Sequence, residues 1–216
     1  MTEFFLALAA FLGAHTIPAR SGIRTRLVNA IGERTYVLLY SLLSLALLAW
    51  LISAALRAPT IPLWPTTVGA YHLAAAAMLP ASWLLIGGLT TPNPLSITMS
   101  RRPFDRSRPG IVGWVRHPVL WGFALWAFVH TVANGDVVWL ILFGGFLLFS
   151  IVGMKIVDRR RRRQLGVEWE RLQPTSRGWS AAQLLLTFGG GTLFYVAALH
   201  AHPVLFGPNP LAVLLG

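Results

Sequence analysis

Histidine is the residue type in this sequence with the clearest capacity for chemistry, because the chain has six histidines and no cysteine. The lack of cysteine excludes disulfides, cysteine-ligated zinc sites, iron–sulfur clusters, thiolate-ligated haem and covalent c-type haem attachment. Any metal must therefore be held by histidine, methionine, carboxylate or tyrosine. Neutral imidazole nitrogens bind iron, so a bis-histidine haem b is the most economical cofactor that this composition allows.

The composition indicates a membrane protein. Hydrophobic residues make up 55% of the 216 residues and charged residues 12%, which is about half the charged fraction of a usual soluble domain. Long apolar stretches predict an all-α, polytopic protein with about six transmembrane helices, at about 3–19, 35–57, 68–89, 118–134, 137–157 and 181–199. No basic residue precedes Glu3, so we expect the first stretch to be retained and not cleaved as a signal peptide. Residues 1–216 are expected to form a single membrane domain.

The distribution of the basic residues predicts the orientation. The net charge is +11, and 17 of the 18 basic residues fall in three alternate loops, Arg57 being the exception. By the positive-inside rule, both termini lie on the non-cytoplasmic side of a bacterial inner membrane. Because the charge follows the topology, we expect no nucleic-acid binding. The arginine run at 159–163 is expected to anchor the topology and contact membrane lipids.

Three histidines are the main candidates for a buried site, because ionisable groups in membrane spans are costly and usually functional. His15 lies near the cytoplasmic end of the first span and His130 near the outer end of the fourth. His117 precedes Pro118, which suits the first turn of a helix. His117 and His130 are thirteen residues apart, about 20 Å along one helix, so they cannot bind the same metal. Each of the three could instead be a hydrogen-bonded or capping residue. The remaining histidines are weaker candidates: His72, His200 and His202.

The fourth span also carries large aromatic side chains that could form the wall of a cofactor site. These residues are Trp121, Phe123, Trp126 and Phe128. An apolar sheath of this kind suits a porphyrin, although such rings more often pack against other helices or face lipid.

Three segments of the sequence resemble the NnrU family of membrane proteins, which includes the 15-cis-zeta-carotene isomerase. The segments are Ala14-His15-Thr16 with a basic loop from Arg20, Arg116-His117-Pro118 with Trp121-Gly122, and Trp126 with His130-Thr131. The resemblance extends to about Trp179. It implies a polytopic membrane protein, and it links bacterial members to denitrification and nitric oxide metabolism. For the isomerase branch it implies haem b, a redox-dependent change of iron ligation, and cis–trans isomerisation of a carotenoid double bond.

The resemblance also implies roles for particular residues. The haem ligands would be His15 and His130, and the substrate would be a hydrophobic small molecule. Judged by depth in the membrane, His15 with His117 is the second possible pair. The isomerase pattern has a cysteine where this chain has Ala127, so ligation through that cysteine is impossible here. Arg116 is a candidate partner for a haem propionate or another anionic headgroup, because guanidinium pairs well with carboxylate and phosphate.

Two other classes of function remain open. Arg116-His117-Pro118, followed by 166–170 after the basic run, also resembles membrane methyltransferases that modify isoprenylcysteine or phospholipids. In those enzymes the histidine–proline motif and a pair of glutamates hold S-adenosylmethionine, whereas this chain has Asp158-Arg159 and no acidic pair there. The other class is a non-enzymatic accessory protein of denitrification. A transporter has little support, because the span centres carry no charge apart from histidine. The substrate, redox partner and oligomeric state stay open.

Overall fold

The structure, a computed structural model, describes the backbone of residues 1–20 and 22–215 and the side chains of residues 1–17 and 22–214. It is built from helices that form two compact units, Met1–Ile61 and Pro62–Gly216. The all-helical class predicted from the sequence is confirmed. The arginine that ends the predicted first span, Arg20, has its side chain outside the described residues.

The first unit is a helical hairpin. Helix α1 (Thr2–Arg20) packs against α3 (Glu33–Arg57), and a short helix α2 (Ile23–Ile31) connects them. The pairing is antiparallel, since the Tyr40 hydroxyl donates to the Ala14 carbonyl at 3.3 Å while Glu3 meets the other end of α3. There the Glu3 carboxylate accepts hydrogen bonds from Trp50 at 3.3 Å and from Arg57 at 2.5 Å. Arg57, the basic residue outside the three basic loops, is thus neutralised by the acid that begins α1.

The second unit is a layer of antiparallel helices. Its elements are α4 (Val68–Thr90), a 3-10 turn (Gly110–Gly113), α5 (Pro118–Asn134), α6 (Val137–Leu165), α7 (Glu168–Arg171), α8 (Ala181–Leu184), a π-helical turn (Leu185–Gly190), α9 (Gly191–Phe206) and α10 (Pro210–Leu215). Helix α5 packs between α4 and α6, and α4 packs between α5 and the helix formed by α8, the π turn and α9. The end of α4, the start of α5, the end of α6 and the start of α8 share one face, called the basic face below. The basic residues of this unit lie in the loops of this face, in the last three turns of α6 or, for Arg171, in the short helix α7.

Within the part of the chain that the structure describes, four helical segments are long and apolar enough to cross a membrane: Glu33–Arg57, Val68–Thr90, Val137–Leu165 and Ala181–Phe206. A multi-pass membrane protein is therefore confirmed, with four helices of spanning length where about six spans were expected. The first expected span is a shorter apolar helix over Thr2–Ile17. The fourth is α5, whose 17 residues measure about 26 Å. Helix α5 stops where Gly135 turns left-handed (φ 61°) against the Trp64 carbonyl, where a Cβ would overlap that oxygen.

Small residues let α4 approach its neighbours closely. A Cβ on Gly122 of α5 would lie 2.9 Å from the Ala81 carbonyl oxygen of α4, and a Cβ on Gly88 of α4 would lie 2.9 Å from the Val119 amide nitrogen. Within lipid, van der Waals packing at such small-residue contacts drives helix association, because burying apolar surface gains little there. The α4–α5 contact therefore fixes where the start of α5 lies relative to the loop after α4.

We expect Gly122→Ala to destabilise the second unit by about 1–3 kcal/mol, because the new methyl group meets backbone atoms that cannot move aside. Gly145→Ala is the matched control on α6, since nothing lies within 4 Å of its Cβ position. The measurement is the free energy of unfolding in detergent for both variants. Equal stability of the two variants would contradict the close packing of α4 against α5.

Candidate functional site at the start of α5

His117 is the centre of a polar cluster at the basic face. It occupies the N-cap position of α5, directly before Pro118 at the first helical turn, as the sequence predicted. Its side chain does not cap the helix but is buried, with 6% of its surface exposed. The Nδ1 atom lies 2.7 Å from the Ser96 hydroxyl oxygen, and the Nε2 atom lies 3.0 Å from Asp158 Oδ1. If the proton sits on Nε2, facing the carboxylate, the Ser96 hydroxyl donates to Nδ1.

Asp158 joins α6 to this cluster. Its Oδ2 atom lies 3.1 Å from Arg116 Nη1, so the carboxylate faces both residues of the Arg116-His117 motif. The short His117–Asp158 contact is not a well-aligned hydrogen bond. Neither His117 Nε2 nor Asp158 Oδ1 has a hydrogen-bond partner among the described residues, although both atoms are buried. Both atoms therefore keep hydrogen-bonding capacity that the described side chains do not use.

The loop after α4 is fastened to the start of α5 through Asn93. The Asn93 amide donates to the Arg116 carbonyl at 2.9 Å, and its side-chain oxygen accepts from the Leu95 amide at 3.1 Å. Asn93 and Ser96 are both almost fully buried. Two buried hydrogen-bonding side chains of one loop thus hold the backbone and the ring of the Arg116-His117 motif, which makes the motif rigid.

The Arg116 guanidinium packs on an aromatic ring as well as on a carboxylate. It lies 5.4 Å from the ring centre of Trp169, and Arg162 lies 5.1 Å from the same ring. Trp169 belongs to the short helix α7 and is buried. Cation–π contacts of this kind hold the planar guanidinium in a fixed orientation.

The charge state of His117 follows from its surroundings. Burial lowers the pKa of the imidazole, Asp158 opposes this effect, and Arg116 adds to the lowering. The net direction is downward, so at pH 7 the ring is neutral. The neutral ring is hydrogen-bonded to the loop after α4 through Ser96 and lies against the Asp158 carboxylate of α6.

His130 and His15 lie in different surroundings from His117. His130 is near the other end of α5, and its Nδ1 atom bonds to the Trp126 carbonyl at 2.8 Å. Its ring lies 5.0 Å from Phe143. In the first unit, the Nδ1 atom of His15 bonds to the Phe11 carbonyl at 2.7 Å. Both rings are half-buried, and no group of three or more possible metal-ligating residues occurs among the described residues.

Most of the aromatic residues expected to surround a site on α5 face outward. Trp121, Phe123 and Phe128 have 49%, 45% and 48% of their surface exposed, so they are placed as lipid-facing residues. Trp126 alone of the four packs inward, at 5.2 Å from Phe143 and 5.3 Å from His130. An apolar cavity of about 340 Å³ lies beside the outward-facing rings of Trp121 and Phe128.

Three residues of the cluster were not predicted from the sequence: Asn93, Ser96 and Asp158. The signal for Asp158 was present, since it is the single acid within the basic stretch 155–163 of a helix. The helix was expected to end near residue 157, whereas α6 continues to Leu165 and carries Asp158 on a helical turn. The sequence gives no such signal for Asn93 and Ser96, because polar residues are common in loops.

The four spanning-length helices among the described residues and the basic face of the second unit define a multi-pass helical membrane protein. The chain belongs to the NnrU family: the family described as NnrU protein matches residues 3–210, nearly the whole chain. No curated protein matches the chain, and no solved structure matches it.

We expect Asp158→Asn to lower the free energy of unfolding by about 1–3 kcal/mol, because the substitution removes the charge that faces Arg116 and His117. The His117 imidazole should then titrate at a lower pH, since the carboxylate that raises its pKa is gone. Glu168→Gln is the control, because Glu168 forms an exposed pair with Arg171 whose loss costs less than about 1 kcal/mol. The measurements are detergent unfolding and histidine NMR titration. Equal effects of the two variants would contradict the role of Asp158.

Proposed function

We propose that the protein is a haem-b-binding redox protein of the bacterial inner membrane that serves nitrogen-oxide or carotenoid metabolism, with His130 and His15 as ligands. The basic face is proposed to be cytoplasmic and both termini non-cytoplasmic. The observation that carries the haem proposal is the hydrogen bond between His130 Nδ1 and the Trp126 carbonyl at 2.8 Å. This bond leaves the Nε2 atom of a half-buried imidazole free.

The fixed tautomer suits an iron ligand. A ligating histidine typically donates one ring N–H to a backbone carbonyl, which orients the ring and makes the other nitrogen more basic. His130 meets this description within the second unit, and His15 meets it within the first through its 2.7 Å bond to the Phe11 carbonyl. Aromatic rings flank each imidazole, with Phe143 at 5.0 Å from His130 and Phe11 at 4.3 Å from His15.

Three of the other histidines support the proposal less well. His72 and His200 have the same bond to a backbone carbonyl, but both are exposed. Both ring nitrogens of His117 face polar side chains, so His117 would lose contacts to Ser96 or Asp158 by binding iron. We therefore keep His15 and His130 as the proposed pair.

A redox role is favoured over isomerisation. Bound haem b would supply one-electron chemistry. An isomerase also needs a hydrophobic substrate beside the iron. The apolar cavity of the second unit includes Phe128, which lies about 200° around α5 from His130 at 100° per residue. The cavity therefore opens on the opposite side of the helix from the proposed ligand, and Ala127 occupies the position of the isomerase cysteine.

We expect the full-length protein, purified in detergent, to give a near-stoichiometric b-type signal in a pyridine haemochrome assay. His130→Ala and His15→Ala should each abolish haem retention without loss of membrane insertion, because each removes one iron ligand. His72→Ala is the matched control, since His72 has the same Nδ1 bond on an exposed surface. Full retention by both ligand variants would refute this choice of residues. Haem-free wild type, after expression with ample haem supply, would refute haem binding.

A second candidate function is methyl transfer from S-adenosylmethionine. The observation that favours it is Asp158, an acid that follows the apolar part of α6 and faces His117 with its Oδ1 atom free of hydrogen-bond partners among the described residues. The membrane methyltransferases that the sequence resembles have a pair of acids at this position, whereas this chain has one. The cluster could therefore contribute polar contacts to a nucleoside cofactor at the basic face.

Under this second function, titration calorimetry should detect S-adenosylmethionine binding to the haem-free protein. Asp158→Asn and His117→Gln should each weaken binding tenfold or more, because each removes a polar contact worth about 1.4 kcal/mol. His72→Ala should leave the affinity unchanged. If the wild type binds neither S-adenosylmethionine nor haem, both catalytic proposals fail and a non-enzymatic accessory role in denitrification is left.

A further inference from the structure

An open cavity of about 490 Å³ lies at the basic face of the second unit. Three stretches of chain form its walls: Leu95, residues 112–114 together with Arg116, and residues 173–177. Its lining includes two guanidinium groups, from Arg116 and Arg177, and no carboxylate. The cavity is thus concave, polar and positively charged.

The two arginines differ in how much of their charge is already neutralised. Arg116 pairs with Asp158 on one side but is 40% exposed. Arg177 stacks over the ring of Trp114, with 4.8 Å between the guanidinium carbon and the ring centre. Within residues 1–17 and 22–214, no carboxylate forms an ion pair with Arg177. The stack holds the guanidinium in place while its N–H groups keep their capacity to donate.

The cavity wall is fixed by hydrogen bonds between two loops. The Arg106 guanidinium donates to the Gln173 carbonyl at 2.8 Å, and the Arg106 carbonyl accepts both the amide and the hydroxyl of Thr175 at 3.0 Å. The Gly110 amide donates to the Gly178 carbonyl at 3.0 Å. Because these bonds preform the wall, binding a ligand there costs little ordering entropy.

The close approach of the two loops depends on a glycine. A Cβ on Gly113 would lie 2.8 Å from the Ser176 carbonyl oxygen and 2.7 Å from the Pro109 ring. The segment that carries Arg177 therefore lies directly on the 3-10 turn that precedes Arg116. This packing brings the two arginines to one cavity.

The surroundings of the cavity indicate that it lies at the depth of the lipid headgroups. It lies where four helix ends and their arginine-rich loops meet. Trp114 at its rim is 59% exposed, and Met99 and Val167 in the loops of the same face are each 78% exposed. Exposed tryptophan and aliphatic side chains among arginines are typical of a membrane–water interface.

From this charge, shape and position we infer that the cavity binds the phosphate of an anionic phospholipid headgroup, with Arg177 and Arg116 donating to its oxygens. Guanidinium groups match phosphate oxygens in geometry, and basic pockets near a membrane surface select anionic lipids. Arg116 is about 20 Å from His130 along α5, so this site is separate from the proposed haem ligand and does not depend on it.

The test measures binding of tail-labelled phosphatidylglycerol to the full-length protein in neutral detergent, with tail-labelled phosphatidylcholine as the uncharged comparison. We expect a clear preference for phosphatidylglycerol. Arg177→Gln should weaken its binding about fivefold, which corresponds to about 1 kcal/mol for one arginine at a membrane surface. Arg177→Lys should be intermediate, since it keeps the charge but loses the planar fork.

The matched control is Arg101→Gln, which removes the same charge from an exposed position in the loop after α4, outside the cavity, and should change the affinity less than twofold. Equal weakening by Arg101→Gln and Arg177→Gln would overturn the proposal in favour of diffuse attraction. Glycerol 1-phosphate is added as a competitor. If it competes as well as the lipid does, the ligand is a soluble phosphoester and the lipid proposal fails. Thermal unfolding of each variant verifies that the compared proteins are folded.

Discussion

The close packing of α4 against α5 is the constraint on which the rest of the second unit depends. Gly122 and Gly88 let the helices approach so closely that a Cβ at either position would lie 2.9 Å from a backbone atom of the other helix, and larger residues there would separate the helices. The contact brings Pro118 to the end of α4. It thereby brings His117 within reach of Ser96 and brings Asn93 within reach of the Arg116 carbonyl.

Helix α5 carries two kinds of polar site at its two ends. At its start, one ring nitrogen of His117 bonds to Ser96 in the loop after α4 and the other faces the Asp158 carboxylate. The same carboxylate pairs with Arg116. Near its end, His130 is bonded on one nitrogen only and lies among rings of Trp126 and Phe143. The first arrangement suits anions and polar cofactors at the membrane surface, and the second suits a metal in an apolar setting. His117 and His130, although they belong to the same helix, therefore suit different kinds of chemistry.

Much of the fold could be predicted from the sequence, because the length of an apolar stretch and the positions of the arginines that flank it are properties of whole segments. The helix boundary at Pro118 was predictable because the fixed φ angle and missing N–H of proline suit the first position of a helix. The end of α6 was not, because the arginine run at 159–163 reads as the end of a span although arginine is a good helix former. Asp158 was consequently placed in a loop, and its contact with His117 depends on the packing of α6 against α5. Likewise, the aromatic residues of α5 could not be divided into lipid-facing and core-facing without knowing which sides α4 and α6 occupy.

The pairing of Glu3 with Arg57 has a consequence for insertion of the chain into an energised membrane. A single arginine on the wrong side of a bilayer works against the membrane potential by about 2.3 kcal/mol per 100 mV for each charge moved. Two opposite side-chain charges at the same depth feel almost no net force from that field. The hairpin of α1 and α3 can therefore place Arg57 at the end opposite its own basic loop without adding to the electrical work of insertion.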